Sequence, residues 1–434
     1  MDGGPSLDCS ARERAAIVGL VHGVDRSIDV EHSLRELRGL AATAGATVVL
    51  RMSQERRHPD PTLFLGRGKI EALALACDEV RADLVIFNNE LSPGQLRNLE
   101  QALGRRVLDR TQLILDIFAG RARTREGKLQ VELAQLSYLL PRLVGAGAAM
   151  SRLGGGIGTR GPGETKLETD RRGVRRRIGV LRRELDVVRR RRTQLRERRR
   201  KVSVPTLALV GYTNAGKTTV FNLLTGRGPR PSGALFATLD PLVRPVKLPD
   251  ARRLLAADTV GFIERLPHEL VAAFRATLEE VTRADLLVHV IDVTSPSVDR
   301  QGDAVRRVLE EIGAGAIPRV DVINKCDVAD SSELERLRRR YPEAVRLSAR
   351  TGTGKQVLID ALVSHLSLDV TRVTLVFDDD STADQRRITE LYRSARVLAH
   401  VTQRGRVSIE ADVPRRALNK LDRHMSADTV GAER

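Results

Sequence analysis

Residues 206–224 set an apolar stretch, a glycine loop and a helix-forming stretch in immediate succession. The stretch TLALV at 206–210 runs directly into Gly211, Tyr212, Thr213, Asn214, Ala215, Gly216, Lys217 and Thr218, and Thr219 opens an apolar helical run to 224. This is G-x-x-x-x-G-K-T in the strand–loop–helix setting the motif requires. It commits the middle of the chain to helices layered on a mostly parallel sheet. The glycines let backbone N–H groups face a β-phosphate at the positive end of the following helix. Lys217 is placed to neutralise β- and γ-phosphate charge, and the Thr218 hydroxyl to ligate Mg²⁺.

Three further motifs follow in the order such a site needs. Asp258, Thr259, Val260 and Gly261 come after the apolar residues 254–257, which sets a carboxylate at a strand end facing the metal. The Gly261 N–H can then meet the γ-phosphate. Asn324, Lys325, Cys326 and Asp327 follow strand-like residues 319–323. Asp327 can accept both the N1–H and the exocyclic amine of guanine, where adenine has no matching donors. A desolvated carboxylate left unpaired costs roughly 10⁴-fold in selectivity. Ser348 and Ala349, after 345–347, are expected to close over the base through backbone N–H groups. Thr238, in the run 236–240, is the expected second Mg²⁺ hydroxyl. Phe262 stands where many GTPases place a water-orienting glutamine, so slow intrinsic hydrolysis is expected. Asn214 offers a carbonyl that could hold a potassium ion beside the β–γ bridge; a turn-stabilising role is an equal alternative.

Charge is distributed unevenly. The 434 residues carry a net +17, with pI near 10.6. Residues 166–201 hold 17 basic and 5 acidic side chains, so 17 − 5 = +12 of that excess lies in one segment. Such concentration marks a polyanion-binding surface. Aromatic residues are only 3% and tryptophan is absent, which disfavours base-stacking platforms and favours contacts to phosphates and folded RNA. DNA is not expected as a partner. No apolar run approaches the roughly 18 residues that span a bilayer. The first residues lack a basic and an apolar region, so no secretory signal is expected. Cys9, Cys77 and Cys326 form no metal spacing and suit a reducing compartment, so a cytoplasmic, monomeric protein is expected.

A chain of this length exceeds the size of one hydrophobic core. Residues 10–120 alternate strand-like segments (15–21, 47–52, 84–87) with helical patterns (31–44, 69–80), which implies a small parallel α/β subdomain. Residues 121–203 read as an antiparallel helical hairpin. Leu129, Leu133, Leu136 and Leu140 make one stripe, which Pro141 is expected to end, and Val174, Ile178, Leu181, Leu185, Val188 and Leu195 make the other. The glycine-rich connection 144–164 carries Arg152 and Arg160. Residues 204–370 form the nucleotide domain, and 371–434 a small α+β module with strands at 373–377, 397–402 and 407–411, a helix near 384–393, a short helix after Pro414 and a frayed end from Ser426.

Together the segments GYTNAGKTT, LFATLDP, DTVGF, NKCD and LSARTG resemble the HflX family of ribosome-associated P-loop GTPases. So do the longer stretches ELSPGQLRNLE (90–100), DRTQLILDIFA (109–119), KLQVELAQLSYLLPRL (128–143) and GGGIGTRGPGETKLETDRR (154–172). The resemblance implies an α/β chain in four parts. A small parallel α/β subdomain and an antiparallel hairpin precede a P-loop GTPase domain, and an α+β module closes the chain. It implies GTP and Mg²⁺ as ligands, and a hydrophobic residue at Phe262. It implies that the hairpin binds large-subunit rRNA, where Arg152, Arg160, Lys166, Arg171, Arg172, Arg175 and Arg176 are the expected contacts. It further implies a GTPase that separates stalled or idle ribosomes into subunits and is stimulated by the ribosome. Three alternatives stay open from the residues alone. They are an assembly or hibernation factor that binds without splitting, a nucleotide-gated regulator with negligible turnover, and an ATP-driven RNA remodeller using Gly66–Lys69. Asn88 and Asn89 depart from the acidic residues usual in the family, as does the approach to Thr238 at 227–234.

Overall fold

Alternation of short apolar runs with amphipathic stretches underlies one parallel sheet, a second that is parallel but for its edge strand, and a third, antiparallel one. The computed structural model describes residues 12–21, 30–143, 162–201, 204–227, 235–248, 253–264, 278–366, 370–403 and 405–414. The chain divides into two compact units. The first takes Met1–Val188 with Ser232–Asp240 and Ile263–Ala276; the second takes Arg189–Pro231, Pro241–Phe262 and Thr277–Arg434.

In the first unit, β1 (Arg14–Val21), β2 (Thr47–Glu55), β3 (Leu84–Phe87) and β4 (Arg106–Asp109) form a parallel sheet in the order β2-β1-β3-β4. β1 and β3 are central and buried on both faces, which is why they read as continuous apolar runs. Helices α1 (Val30–Thr43), α2 (Arg67–Glu79), α3 (Pro93–Leu103) and α4 (Arg110–Arg121) accompany the strands. α3 starts at a capping box in which Ser92 and Gln95 satisfy each other's backbone N–H, and stops at Gly104 in the left-handed region. Asn88 and Asn89 are buried structural residues. The Asn88 amide donates to Ser33 Oγ at 2.7 Å, and Asn89 brackets the backbone of Leu20, accepting from its N–H at 3.0 Å.

Helices α5 (Arg125–Arg142) and α6 (Pro162–Lys201) make the arm. Leu129, Leu133 and Leu136 of α5 pack with Leu181 and Leu185 of α6. Arg177 pairs with Glu132, and Arg125 with Glu184, so the helices run antiparallel as expected. Two local expectations need correction. Pro141 does not end α5; the helix continues to Arg142, because a proline in the last turn forfeits one backbone bond without blocking the residue after it. The expected loop 144–164 is also too long at its end, since Pro162–Glu164 already form the first turn of α6, where proline fits without loss. The rest of that loop, with Arg152 and Arg160, lies outside the described residues.

The second unit holds β5 (Thr206–Gly211), α7 (Lys217–Leu224), β6 (Leu242–Lys247), β7 (Arg253–Asp258), β8 (Leu286–Asp292), α8 (Val298–Glu311), β9 (Arg319–Asn324), α9 (Ser331–Arg340), β10 (Val345–Arg346) and α10 (Lys355–His365). The sheet order is β10-β9-β8-β5-β7-β6, parallel except for β6. Its core gathers Leu207, Leu209, Phe221, Leu254, Val288, Val290, Val322 and Leu358. A further sheet, β11 (Val370–Asp378), β13 (Arg406–Pro414) and β12 (Arg396–Gln403), is antiparallel in the order β11-β13-β12, with α11 (Thr382–Ser394) against it. Leu375, Phe377, Leu391, Ile409 and Val413 make its own core. The helix expected after Pro414 and the chain end from Ser426 lie outside the described residues. Among the described residues no helix is long and apolar enough to cross a membrane.

Candidate functional site

β5 lies between β7 and β8, with the chain running to one side of it first and to the other afterwards. The loop after β5 therefore opens where the strand order reverses, the place at which open α/β sheets hold ligands. That loop is Gly211–Gly216, and α7 begins at Lys217.

Two glycines make the approach possible. Gly216 has φ 94, a left-handed value, and a β-carbon on it would run into Nδ2 of Asn324. A β-carbon on Gly261 would lie 2.9 Å from both Lys217 Nζ and Thr213 Cα. Between them sits Lys217, buried, its Nζ donating to the carbonyls of Tyr212 at 2.9 Å and Gly211 at 3.2 Å. Burial pushes its pKa down to about 8, against the opposing pull of the Asp258 carboxylate. An ammonium held by neutral carbonyls in a dry cup is ready to exchange them for phosphate oxygens, which would restore its usual pKa.

Thr218 Oγ1 donates to Asp258 Oδ2 at 2.8 Å, and Asp258 is fully buried at the end of β7. A hydroxyl and a carboxylate are hard oxygen donors of the kind Mg²⁺ takes beside substrate phosphates and water, so the two residues fit that ion. Next along the chain, Thr259 Oγ1 donates to the carbonyl of Leu209 at 2.5 Å and pins the strand end to β5. Phe262 is fully buried. Its N–H donates to Gly211 O at 3.1 Å, and its carbonyl accepts from Thr213 N at 2.7 Å. The ring where a glutamine is common thus fills the core while its backbone is sewn to the phosphate loop.

The base side is organised by Asn324. Its Nδ2 donates to Ala215 O at 2.9 Å and its Oδ1 accepts from Ala349 N at 3.0 Å, so one buried amide spans the phosphate loop and the loop after β10. Lys325, at φ 68, pairs with Asp292. Asp327 accepts from Ser348 Oγ at 2.7 Å and pairs with Arg350 Nη2 at 2.7 Å. The Ser348 hydrogen bond, seconded by Arg350, outweighs desolvation and holds this carboxyl below the usual range.

The second unit therefore brings together Gly211–Thr219, Asp258, Gly261, Asn324, Lys325, Asp327, Ser348 and Ala349. Of the loop residues, Tyr212, Thr213 and Ala215 are buried, Thr219 is half-buried, and Asn214 stands exposed at φ 62. Thr238 is different: it is half-buried and belongs to the first unit, whereas Thr218 and Asp258 belong to the second. Sequence reasoning missed Arg350, whose signal was its place in SARTG beside the motif serine. It also missed the strut role of Asn324, for which no local signal exists.

On the arm, Arg172, Arg175 and Arg176 are exposed on α6, Arg171 is half-buried beside Glu168, and Lys166 lies within α6. Their spacing places Arg172, Arg175 and Arg176 on one helix face. Exposed Arg182, Arg183 and Arg190 continue that stripe and were not singled out. Arg177, by contrast, is committed to Glu132, with Nε–Oε1 at 2.7 Å.

Comparison with known proteins agrees along the length of the chain. Residues 31–119 match the family described as GTP-binding GTPase N-terminal, residues 121–199 its Middle Region, and residues 206–325 the 50S ribosome-binding GTPase family. The protein "GTPase HflX" of Caldanaerobacter subterraneus subsp. tengcongensis is 45% identical, across 93% of this chain and 91% of that one. "GTPase HflX" of Escherichia coli is 46% identical, across 84% and 85%. Among solved structures, a GTP-binding protein from Sulfolobus solfataricus in complex with GDP is 26% identical, over 82% of this chain and 98% of that one, with a TM-score of 0.43.

Proposed function

The chain belongs to the HflX family of GTPases, and from that premise we propose that it binds the large ribosomal subunit through its arginine-dense arm and, when loaded with GTP, separates stalled or idle ribosomes into subunits. The observation that carries this reading is the pairing, on one chain, of a preassembled guanine-nucleotide pocket with the exposed arginine stripe of α6. Diphosphate and triphosphate are read at Lys217, the base at Asp327, and the arm supplies a cationic surface for rRNA phosphates.

Within the pocket, Lys217 gives up the carbonyls of Gly211 and Tyr212 for β- and γ-phosphate oxygens. Thr218 and Asp258 would hold magnesium, which would supply positive charge beside the phosphates. Thr238 adds a second hydroxyl and Gly261 N–H meets the γ-phosphate, so that both switch segments register the triphosphate. Asp327 exchanges Arg350 for the guanine N–H donors, and the backbone N–H groups of Ser348 and Ala349 close over the base. Phe262 contributes no group that could orient water, so hydrolysis is slow alone and is stimulated on the ribosome. It serves release. Asn214, exposed in the loop, suits a monovalent cation beside the phosphates; turnover in potassium exceeding that in sodium at equal ionic strength supports this, and equal turnover overturns it. Arg152, Arg160, Lys166, Arg171, Arg172, Arg175 and Arg176 form the rRNA contact. The factor acts as a cytoplasmic monomer.

Gradient sedimentation of intact ribosomes with the protein and GDP, GTP or a non-hydrolysable analogue tests the reading. Dissociation with the analogue and not with GDP supports it. Co-migration with intact particles in every nucleotide state overturns it in favour of a binding-only assembly or hibernation role.

A further inference from the structure

The segment that carries Thr238 is held in place, and what holds it is the start of the arm. Phe236 takes a left-handed φ of 54; its ring is buried and meets Phe118 of α4 edge-on, with centroids 4.7 Å apart at 73°. Leu235 N donates to Thr43 Oγ1 at 3.2 Å, at the end of α1, and Leu239 is buried. Asp240 closes the segment. Its Oδ2 accepts from the backbone N–H groups of Arg123 and Thr124 at 2.9 Å each, and its Oδ1 accepts from the Thr124 hydroxyl. Thr124 is the N-cap of α5, and its Oγ1 in turn accepts from Gly127 N at 2.9 Å. At Gly127 a β-carbon would collide with Asp240 Oδ1, so the absence of a side chain there is what admits the carboxylate. All these residues lie in one compact unit.

We infer that Asp240 is a positioning residue that couples the nucleotide-sensing segment at Thr238 to the first turn of arm helix α5. The inference rests on the proposed role of Thr238. Two residues of chain span at most about 7 Å, so Thr238 cannot shift far without moving Asp240. A carboxylate at a helix N-terminus is bound by orphan N–H groups and by the helix dipole, so its departure leaves Arg123 and Thr124 without their acceptors. Alanine cannot replace it, because a methyl group accepts nothing. The state of the triphosphate is thereby read out where the arm begins, without passing through the arm's leucine seam.

Two variants attack the contact from opposite sides in the full-length protein. Asp240→Ala removes both acceptor oxygens, and Gly127→Ala fills the space beside the carboxylate while raising helix propensity. Hydrogen exchange at the Arg123 and Thr124 amides is followed in the GDP and non-hydrolysable-analogue states, alongside GDP affinity and large-subunit binding. In the unaltered protein, protection at these two amides differs about fivefold or more between states. In both variants that difference collapses, GDP affinity stays within about twofold, and the preference of large subunits for one nucleotide state shrinks toward unity. Equal protection in both states of the unaltered protein overturns the inference, as does a variant that folds and keeps the full nucleotide preference. If a variant fails to fold, the other is read, and the unaltered protein's amides decide in any case. Loss of nucleotide preference already in the unaltered protein would instead refute the ribosome reading and leave the amide comparison standing.

Discussion

Lys217 shows how much one buried side chain sets the working range of the pocket. The proposed phosphate contact needs it charged, and burial disfavours the ammonium and lowers its pKa to about 8. The bound state must hold the proton more tightly than the free state. Affinity for GDP is therefore flat below that pH and falls as pH rises above about 8, by about tenfold per unit until the bound form titrates too. Calorimetric titration from pH 6.5 to 9.5 checks this, and an affinity unchanged across that range would contradict it. Arg350 invites a second test. It pairs with the Asp327 carboxylate proposed to receive guanine, but it is largely exposed, so the pair is worth about 1 kcal/mol or less. Arg350→Met should speed association of a fluorescent guanine nucleotide about two- to fivefold in stopped-flow measurements, and leave discrimination against adenine intact. An association rate no faster than that of the parent would show that Arg350 is no obstacle to the base.

Among the elements, the arm's seam and its charged face separate cleanly. Leu181 is fully buried against Leu129, Leu133 and Leu136, so Leu181→Ala should cost about 2–4 kcal/mol in denaturant unfolding of the transition that contains the arm. Arg175 and Arg176 are exposed, and reversing both to glutamate should leave stability alone. It should weaken large-subunit binding and lower the slope of log affinity against log salt by about 2. An unaltered slope would place the rRNA contact elsewhere. In the β8–β9 pair, His289 lies buried with Nδ1 2.8 Å from Asp321 Oδ1. Burial lowers the His289 pKa. Asp321 is desolvated too, yet the His289 hydrogen bond and Arg319 bring it below the ordinary value. Both groups resist protonation in the fold and accept it more readily when unfolded, so stability is lost as pH falls below the ordinary histidine range. His289→Gln should make that loss shallower between pH 7 and 5 in thermal melts; an identical pH profile would remove the pair as its source. Leu129, Leu133 and Leu136 of one stripe and Leu181 and Leu185 of the other were legible because helical spacing marks a buried face whatever that face meets, while Leu195 lies outside the described side chains. The end of α5 lies one residue beyond the expected stop at Pro141, since the tolerance of Pro141 depends on where the last turn falls.

At the scale of the whole molecule, two compact units with separate cores predict two calorimetric transitions, of which GDP raises the one containing the phosphate loop. A hundredfold excess over Kd adds about 2.7 kcal/mol to that unit. A single transition, or an equal shift of both, would show that the units unfold as one. The amino-acid order alone located the residues of the proposed nucleotide site, because its motifs are contiguous: the glycine loop that leads to Lys217, Asp258 and the stretch to Asp327 each lie at or just after the end of a strand that local patterning reveals. It equally determined the parallel sheets and the basic arm, which follow from periodicity and charge. Only the tertiary structure decided which distant groups meet. Asp240 on Thr124, Asn324 between Ala215 and Ala349, and Arg350 on Asp327 follow no local period, since each partner is chosen by packing of the intervening chain. The physical reason is range. Backbone propensity and side-chain alternation act over a few residues, whereas contacts between residues 23 to 116 positions apart exist only once the sheets and helices that carry them have closed.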